Sequence, residues 1–492
     1  MPIKHIAMPF RLHKIFLYIF IFGQGISLFS QQKNTASRPN IILVLLDDLG
    51  YSDVGFNGSK DITTPTLDKL ANNGTIFTSA YVPHPFCGPS RASLMTGVYS
   101  HTIGAQFNLP RNNTPAGKGI PVEETFISKV LQNAGYHTGI VGKWHLGVDD
   151  GFTPNERGFD DFYGFLGGGH KYFPDQYKKD YKIQKANGIS PIWDYILPLE
   201  HNGIKVDETE YLTDALSREA VRFIDDNSNL DQEKPFFLYV AYNAPHTPLE
   251  AKASDILKFN HIKNKDRRTY AAMVYAVDRG VKKIVEKLKE TGAFDDTLII
   301  FFSDNGGRLD KGATNVPLAE GKGSTHEGGF RTPMFFHWPN AVPSGKRFHH
   351  SITALDIYPT LAHLAGAQIP TSKKLDGKNI WNDFKTGNPL HPDENIYVLR
   401  HRTKWSDVGI RKNQWKALKV YNQSWKLFDL NKDPGEKKNL SNRHPDILKQ
   451  MIKEAEFWSR SHKEPNWFHN MQTQKMWKKE SMPRFDVTFE LN

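Results

Sequence analysis

Uninterrupted apolar runs of strand length recur along this chain of 492 residues. Residues 40–46 (NIILVLL), 236–242 (FFLYVAY) and 297–302 (TLIIFF) contain few polar side chains. Runs without alternation are typical of strands buried on both faces, as in parallel sheets that are covered by helices. Helical patterns separate the runs, and the longest is an apolar stripe over residues 268–289. The chain therefore predicts an α/β fold with a large, mostly parallel central sheet flanked by helices.

A different pattern begins after about residue 390. Short strand-like runs follow one another with close turns over residues 396–428, and an amphipathic helix is predicted over residues 445–459. This predicts a smaller C-terminal α+β subdomain made of an antiparallel sheet plus a helix. We therefore predict a main domain over residues 31–390, and a C-terminal subdomain with its tail over residues 391–492.

The first thirty residues have the form of a secretory signal peptide. Three cations precede an apolar run at residues 15–23, which is too short to span a bilayer comfortably; they are Lys4, Arg11 and Lys14. The prediction is a signal peptide over residues 1–30 and export, with no membrane span after cleavage; an N-terminal anchor helix is the alternative. The only cysteine, Cys87, excludes an intramolecular disulfide, so an exported protein without one fits a bacterial periplasmic or secreted enzyme.

The formal net charge of +10 favours a polyanionic partner. Residues 1–30 contribute +3 and residues 391–492 contribute +7, whereas residues 31–390 are neutral. The basic surplus of the mature chain thus belongs to the C-terminal subdomain, and we expect this subdomain to attract a polyanionic chain, in part through three lysines of its tail, Lys475, Lys478 and Lys479. No nucleic-acid-binding motif is present, and export argues against such a partner.

Two acidic pairs follow predicted buried strands. Asp47 and Asp48 end the run at residues 40–46, and Asp304 and Asn305 follow the run at residues 297–302. Ligands bind at the carboxyl ends of strands in open α/β sheets. Three carboxylates and an amide offer hard oxygen ligands, which suit Ca²⁺ or Mg²⁺ rather than zinc. Each pair taken alone is also compatible with a turn or a helix cap.

The segment CGPSRASLMTG, residues 87–97, places Cys87 at the predicted start of a helix. Pro89 suits the first helical turn, and the helix dipole favours an anion there. With Arg91 four residues on, this segment resembles the signature of the type I, formylglycine-dependent sulfatases of the alkaline-phosphatase superfamily.

Four further segments are similar to the motifs of that family and follow in its order. They are GYHTGIVGKWHLG at residues 135–147, NAPHTP at 243–248, DNG at 304–306 and GKGSTHEGG at 321–329. The first contains Lys143 and His145, whose spacing predicts that they share one face of an extended segment. The others contain His246, Asp304 with Asn305, and Lys322. The resemblance covers roughly residues 38–460.

The resemblance implies a sulfuric ester hydrolase whose nucleophile is formylglycine made from Cys87 by a formylglycine-generating or other sulfatase-maturing enzyme. It implies a Ca²⁺ site, with Mg²⁺ as the less favoured ion, whose ligands are Asp47, Asp48, Cys87, Asp304 and Asn305.

It also implies the roles of the remaining catalytic residues. Arg91 and Lys143 would orient the formylglycine hydrate, and Lys143 and Lys322 would bind the sulfate. His246 would protonate the leaving oxygen, and His145 would take a proton from the hydrate.

A sulfated carbohydrate is the expected substrate, because export, basic charge and aromatic loops favour one. Ulvan oligosaccharides are the first candidates, followed by those of carrageenan and fucoidan. Residues 151–203 and 306–332 are predicted to be irregular loops, and His170 and Arg308 within them are predicted to contact substrate. A phosphonate or phosphodiester hydrolase of the same superfamily and a non-catalytic sulfated-glycan-binding protein are the alternatives.

Overall fold

The computed structural model describes residues 1–2, 38–110, 117–230, 234–402, 405–420 and 422–479. The predicted signal peptide lies outside the described residues, except for residues 1 and 2, and the domain boundaries at residues 30 and 390 stay predictions. Within the described ranges, no helix is both long enough and apolar enough to cross a membrane.

A mixed sheet of eleven strands forms the centre of the body that begins at Arg38. Its strands are β1 (Asn40–Leu46), β2 (Thr75–Tyr81), β3 (His137–Lys143), β4 (Asp161–Phe165), β5 (Glu200–His201), β6 (Ile204–Lys205), β7 (Phe236–Ala241), β8 (Thr297–Ser303), β9 (Arg331–His337), β10 (Lys346–Phe348) and β11 (Ile352–Thr353). Their order is β10-β2-β9-β8-β1-β7-β3-β4-β5-β6, and β11 also pairs with β2. Most pairs are parallel, which confirms the predicted fold class.

Ten helices accompany this sheet in the described part of the chain. They are α1 (Pro65–Asn72), α2 (Cys87–Thr96), α3 (Ile127–Asn133), α4 (Pro174–Ala186), α5 (Leu212–Leu230), α6 (Ala253–Ile256), α7 (Lys265–Glu290), α8 (Glu327–Phe330), α9 (Ile357–Leu364) and α10 (Trp381–Thr386). Alternate residues of β1 explain the apolar run: Ile41 packs in one hydrophobic core and Ile42 in another, so both faces of the strand are buried.

The C-terminal region folds as predicted, with a second, antiparallel sheet. Its strands are β12 (Ile396–His401), β13 (Ser406–Lys412), β14 (Trp415–Lys419) and β15 (Lys426–Asp429), paired in that order. The amphipathic helix α11 (Pro445–Ser459) packs its apolar face on this sheet, and α12 (Met471–Lys479) follows.

The prediction of an irregular segment over residues 151–203 is wrong in part. The segment contains β4, α4 and the short strand β5. Helix α4 has Pro174 at its first turn, but it buries only Pro174 and Tyr177, so no apolar stripe revealed it in the sequence. Helix α7 begins at Lys265, three residues before its predicted start, because the side chain of Asn264 accepts a hydrogen bond from the Arg267 amide.

A buried ionic network joins the second sheet to the first. Lys416 on β14 lies 3.1 Å from Glu327 of α8 and 3.8 Å from Glu436, and all three side chains are fully buried. The hydroxyl of Tyr81 on β2 donates to the same Glu327 carboxylate. The Nζ atom of Lys416 also lies 4.2 Å from the ring centroid of Phe330. Because buried charges require partners, these residues fix the second sheet beside α8.

We predict that Lys416→Met lowers the free energy of unfolding by about 3–5 kcal/mol, the usual cost of removing one partner of a buried ion pair. The substitution keeps most of the stem and removes the charge that faces Glu327 and Glu436. Urea unfolding measures the change. Lys449→Met, at an exposed position of α11, is the control and should change stability by less than about 0.5 kcal/mol. Equal stability of Lys416→Met and the wild type would contradict this reading.

Candidate active site

The carboxyl ends of four adjacent parallel strands converge at one edge of the large sheet. Strands β8, β1, β7 and β3 are neighbours in this order, and all three pairings between them are parallel. The segments after these strands carry Asp304, Asp47, His246 and His145, respectively. The topology therefore brings together side chains that are up to 257 positions apart in sequence.

An acidic cluster forms the floor of this site. Asp47, Asp48, Asp304 and Asn305 are all buried, and the Asn305 side-chain amide donates to Asp48 Oδ1 at 2.7 Å. Three buried oxygens in this cluster accept no hydrogen bond from the described residues: Asp47 Oδ1, Asp48 Oδ2 and Asn305 Oδ1. Ligand atoms of Asp47, Asp48, Cys87 and His246 lie within 4.8 Å of one another. Unpaired buried oxygens of this kind fit a hard divalent cation such as Ca²⁺ or Mg²⁺.

The pKa shifts of the carboxylates in this cluster are consistent with a site for a divalent cation. Burial raises the pKa of Asp304 to about 6, and the charge of Asp47 acts in the same direction. Burial would also raise the pKa of Asp47, but Lys143 and its neighbouring cations lower it well below its usual value. Carboxylates crowded in this way are stabilised in their charged forms by cations.

Cys87 is the first residue of α2, a helix that is buried along its whole length. The Nζ atom of Lys322 lies 3.1 Å from the Cys87 sulfur and 2.5 Å from Asp48 Oδ1. Asn108 accepts a hydrogen bond from the amide of Gly88 at 2.9 Å. Burial, together with the charge of Asp47, raises the pKa of the Cys87 thiol to about 12. The unmodified residue is thus a neutral thiol and a poor nucleophile.

Two further cations complete the floor of the site. Lys143, the last residue of β3, is fully buried and lies 2.5 Å from Asp47 Oδ2. Arg91 Nε donates to Asp304 Oδ2 at 2.9 Å, and another of its nitrogens donates to the Lys143 carbonyl at 3.1 Å. Arg91 therefore links α2 to β8 and β3.

His145 and His246 both line the cavity above this floor. Nδ1 of His246 lies 2.7 Å from the Thr247 carbonyl, and its Nε2 lies 3.8 Å from Asp48 Oδ2. Burial lowers the pKa of His246 to about 4, although Asp47 and Asp48 act in the opposite direction. Burial also lowers the pKa of His145 well below its usual value, and Lys143 reinforces the shift.

The backbone at His145 differs from the predicted extended segment. Strand β3 ends at Lys143, and His145 has a φ of 65°, as Asp48 has a φ of 67°. Positive φ at such residues costs roughly 1–3 kcal/mol and is concentrated at functional sites. Gly168 allows this placement, because a Cβ atom there would lie 2.9 Å from His145 Nε2.

A cavity of about 1060 Å³ opens above the cluster, and its lining includes Cys87, His145, His246 and Lys322. Trp193 stacks on Tyr195 with ring centroids 4.9 Å apart, and Tyr195 belongs to the cavity wall. The aromatic segment around Trp193 and Tyr195, one of those expected to favour a carbohydrate, thus contributes to this wall.

The two residues predicted to contact substrate have different positions. Arg308 lines the cavity, where its guanidinium pairs with Asp310 at 2.6 Å. His170 is fully buried and is not part of the cavity wall; its ring nitrogens lie 2.6 and 2.8 Å from the carbonyl oxygens of Lys171 and Leu197. This arrangement does not support the predicted substrate contact of His170, because its polar atoms are occupied by the backbone.

The structure also adds wall residues that the motifs did not indicate. Asn108, Arg400 and His469 line the cavity, and the last two come from the C-terminal region. The basic surplus of that region was the only signal in the sequence that pointed towards Arg400.

This fold, with a buried acidic cluster at the carboxyl ends of its parallel strands, is that of the alkaline-phosphatase-like enzymes. Comparison with known proteins identifies the family within that class. The Sulfatase family model matches residues 39–367, and the model of the C-terminal region of N-sulphoglucosamine sulphohydrolase matches residues 321–460. The chain belongs to the sulfatase family.

Individual relatives agree with this assignment. Mouse arylsulfatase J is 33% identical over 470 residues, which cover 85% of this chain and 75% of the relative. The crystal structure of Ps i-CgsB in complex with k-i-k-neocarrahexaose is 58% identical, with a TM-score of 0.90, and the match covers 92% of this chain and 100% of that chain. The sulfatase PsFucS1 from Pseudoalteromonas sp. is 26% identical, with a TM-score of 0.72, over 87% of this chain and 91% of that chain.

We predict that His170→Ala destabilises the protein rather than weakening substrate binding. The substitution removes a fully buried ring whose single N–H donates to one of the two carbonyl oxygens, and losing the packing and this hydrogen bond costs about 1–3 kcal/mol. Thermal unfolding measures the loss, and His261→Ala at an exposed position is the control. A raised KM for a sugar sulfate with an unchanged unfolding temperature would instead restore the predicted substrate contact.

Proposed function

We propose that this enzyme removes sulfate from a sulfated galactan oligosaccharide of the carrageenan type, using a formylglycine that is made from Cys87. The observation that carries the proposal is the buried cluster of Asp47, Asp48, Cys87 and His246 at the base of an open cavity. Membership of the sulfatase family supports the reaction. The 58% identity to a structure in complex with k-i-k-neocarrahexaose favours carrageenan over ulvan as the source of the substrate.

A divalent cation, with Ca²⁺ preferred over Mg²⁺, would be held by Asp47, Asp48, Asp304 and Asn305, next to residue 87. These residues offer the unpaired oxygens that such an ion needs. When bound, the ion supplies positive charge where the sulfuryl oxygens gain negative charge.

The side chain at position 87 is the proposed nucleophile after modification. The neutral thiol of Cys87 offers little nucleophilicity at this buried position, which argues against simple thiolate catalysis. A hydrated aldehyde supplies a hydroxyl nucleophile and a second hydroxyl through which sulfate can be released. The enzyme therefore depends on a sulfatase-maturing partner.

Lys143 and Lys322 neutralise the anionic substrate. Lys322 Nζ lies 3.1 Å from the Cys87 sulfur. It is therefore close enough to contact the oxygens of a sulfate group that is bound at residue 87. Lys143 is held by Asp47 on the other side of the cluster. Fixed cations of this kind stabilise developing charge without reorganisation.

The two histidines move protons. Nδ1–H of His246 donates to the Thr247 carbonyl, so Nε2 carries a proton for the leaving sugar oxygen only when the ring is protonated. The negative charge of a bound substrate favours the protonated ring. His145 lines the same cavity as Cys87, and we propose that it takes a proton from the side chain at position 87. A positioned acid or base of this type contributes roughly 10²–10⁴-fold to the rate.

We further propose that the enzyme is exported to the periplasm or secreted, since the sequence of its first thirty residues has the form of a signal peptide.

The function is tested by incubating the matured enzyme with oligosaccharides of carrageenan and ulvan, with 4-nitrophenyl sulfate and with bis(4-nitrophenyl) phosphate. We expect the highest kcat/KM for sulfate release from a carrageenan oligosaccharide, because the site combines a cation cluster with an open, aromatic-lined cavity. A higher kcat/KM on the phosphodiester would refute the sulfatase assignment, and a higher value on ulvan would refute the substrate class.

Cys87→Ser is the matched variant that tests the proposed nucleophile in this assay. Serine is close in size to cysteine, so the variant should unfold at a temperature near that of the wild type. Its turnover should fall by roughly 10³-fold or more, as for the loss of other enzymatic nucleophiles. Full turnover of Cys87→Ser would exclude the proposed nucleophile.

Removal of the metal is expected to lower stability as well as activity. Dialysis against EGTA leaves Asp47, Asp48 and Asp304 crowded without a divalent cation, and added Ca²⁺ at about 100 times its Kd should stabilise the fold by about 2.7 kcal/mol. Thermal unfolding measures this gain, which should be lost in Asp304→Asn and retained in Asp310→Asn. A chelated enzyme with the same unfolding temperature and activity as the untreated enzyme would rule the metal out.

A further inference from the structure

Arg400 of β12 lies directly beside the proposed sulfate site. Its guanidinium stands 4.7 Å from the ring centroid of Phe86, the residue before Cys87. One of its nitrogens donates a hydrogen bond to the carbonyl of Gly323, the residue after Lys322. The side chain is half-buried and belongs to the wall of the 1060 Å³ cavity. A residue of the second sheet thus touches the neighbours of both the nucleophile and a sulfate-binding lysine.

The charge of Arg400 is not balanced by a carboxylate within the described ranges. Among the described residues, the lysine and arginine side chains that line the cavity are Arg308, Lys322 and Arg400. Arg308 pairs with Asp310, and Lys322 pairs with Asp48. Arg400 makes no such ion pair. Asp407 contributes to its electrostatic environment, but that acid is held by Arg402, which lies 2.5 Å away.

A partly buried guanidinium without a counter-ion is costly for the folded protein. Burial and the charge of Arg402 lower the pKa of Arg400 to about 10, so the group is still cationic at neutral pH. A planar guanidinium is suited to two parallel hydrogen bonds with an oxyanion. An anionic group of the substrate would supply the missing charge.

There is also space beyond Arg400. A second chamber of about 280 Å³ shares Phe86, Asn108, Arg400 and His469 with the main cavity, and Trp405 belongs to its wall. Arg400 therefore stands between the space above residue 87 and an adjoining chamber, where a neighbouring sugar could lie.

We propose that Arg400 binds a second sulfate group of the substrate, carried on a sugar next to the one that loses sulfate. The enzyme then selects oligosaccharides with at least two sulfates close together. This inference rests on the proposed function and assigns a specificity role to the C-terminal subdomain. It also gives the basic surplus of that subdomain a local role at the active site.

The test compares two carrageenan oligosaccharides of equal length that differ by one sulfate on the neighbouring sugar. Wild-type enzyme should favour the more sulfated one in kcat/KM. Arg400→Gln should reduce that preference by about 10–100-fold, the usual effect of losing hydrogen bonds to a charged group, and should do so mainly through KM. Arg400→Lys should retain part of the preference, because it keeps the charge and loses the planar fork.

Two controls separate this role from others. Arg460→Gln removes one positive charge at an exposed position of the same region, and it should leave the preference unchanged. Thermal unfolding shows whether Arg400→Gln is folded. If Arg400→Gln lowers kcat/KM on both oligosaccharides by the same factor, Arg400 only positions the Lys322 loop through Gly323, and the proposal is overturned. If the wild type releases sulfate from neither oligosaccharide, the carrageenan assignment itself fails.

Discussion

Buried carboxylates and buried cations neutralise one another in this active site. Asp47 and Asp304 would repel each other at the sheet edge, but Lys143 and Arg91 lie against them. None of these charges could be buried alone, because the desolvation of an unpaired ion costs several kcal/mol. The parallel order β8-β1-β7-β3 is the topology that brings the members together. The same balance leaves three oxygens without hydrogen bonds from the part of the chain that the structure describes, which is the chemical basis for expecting a divalent cation.

The second sheet belongs to the construction of this site. Glu327 of α8 is held by Lys416 of β14, and the loop before α8 contains Lys322. Arg400 of β12 meets the same loop at Gly323. The C-terminal region therefore contacts the loop that contains Lys322 and adds one cation, Arg400, to the cavity wall. At least one of the surplus basic residues of this subdomain, Arg400, lies at the site itself.

The sequence predicted the elements that leave a recognisable pattern in consecutive residues. Buried strands such as β1 show as uninterrupted apolar runs, and the motif residues stand at strand ends where parallel topology must bring them together. Helix α4 was missed because it buries only two residues, and an apolar stripe is the signal by which a helix is recognised. The substrate contact of His170 stays a prediction, because a histidine in a glycine-rich loop gives the same sequence pattern whether its nitrogens face substrate or backbone carbonyls. Arg400 could not be placed, since its contacts with Phe86 and Gly323 join distant parts of the chain.

The proposed mechanism requires sulfate ester hydrolysis to take place at a formylglycine made from Cys87. The most direct measurement prepares the enzyme with graded levels of a sulfatase-maturing partner, and quantifies formylglycine at position 87 by peptide mass spectrometry. The rate of sulfate release from a carrageenan oligosaccharide is measured on the same samples. We expect a rate proportional to the converted fraction, extrapolating to zero at zero conversion. Undiminished turnover in a sample whose residue 87 is entirely cysteine would contradict the proposed mechanism.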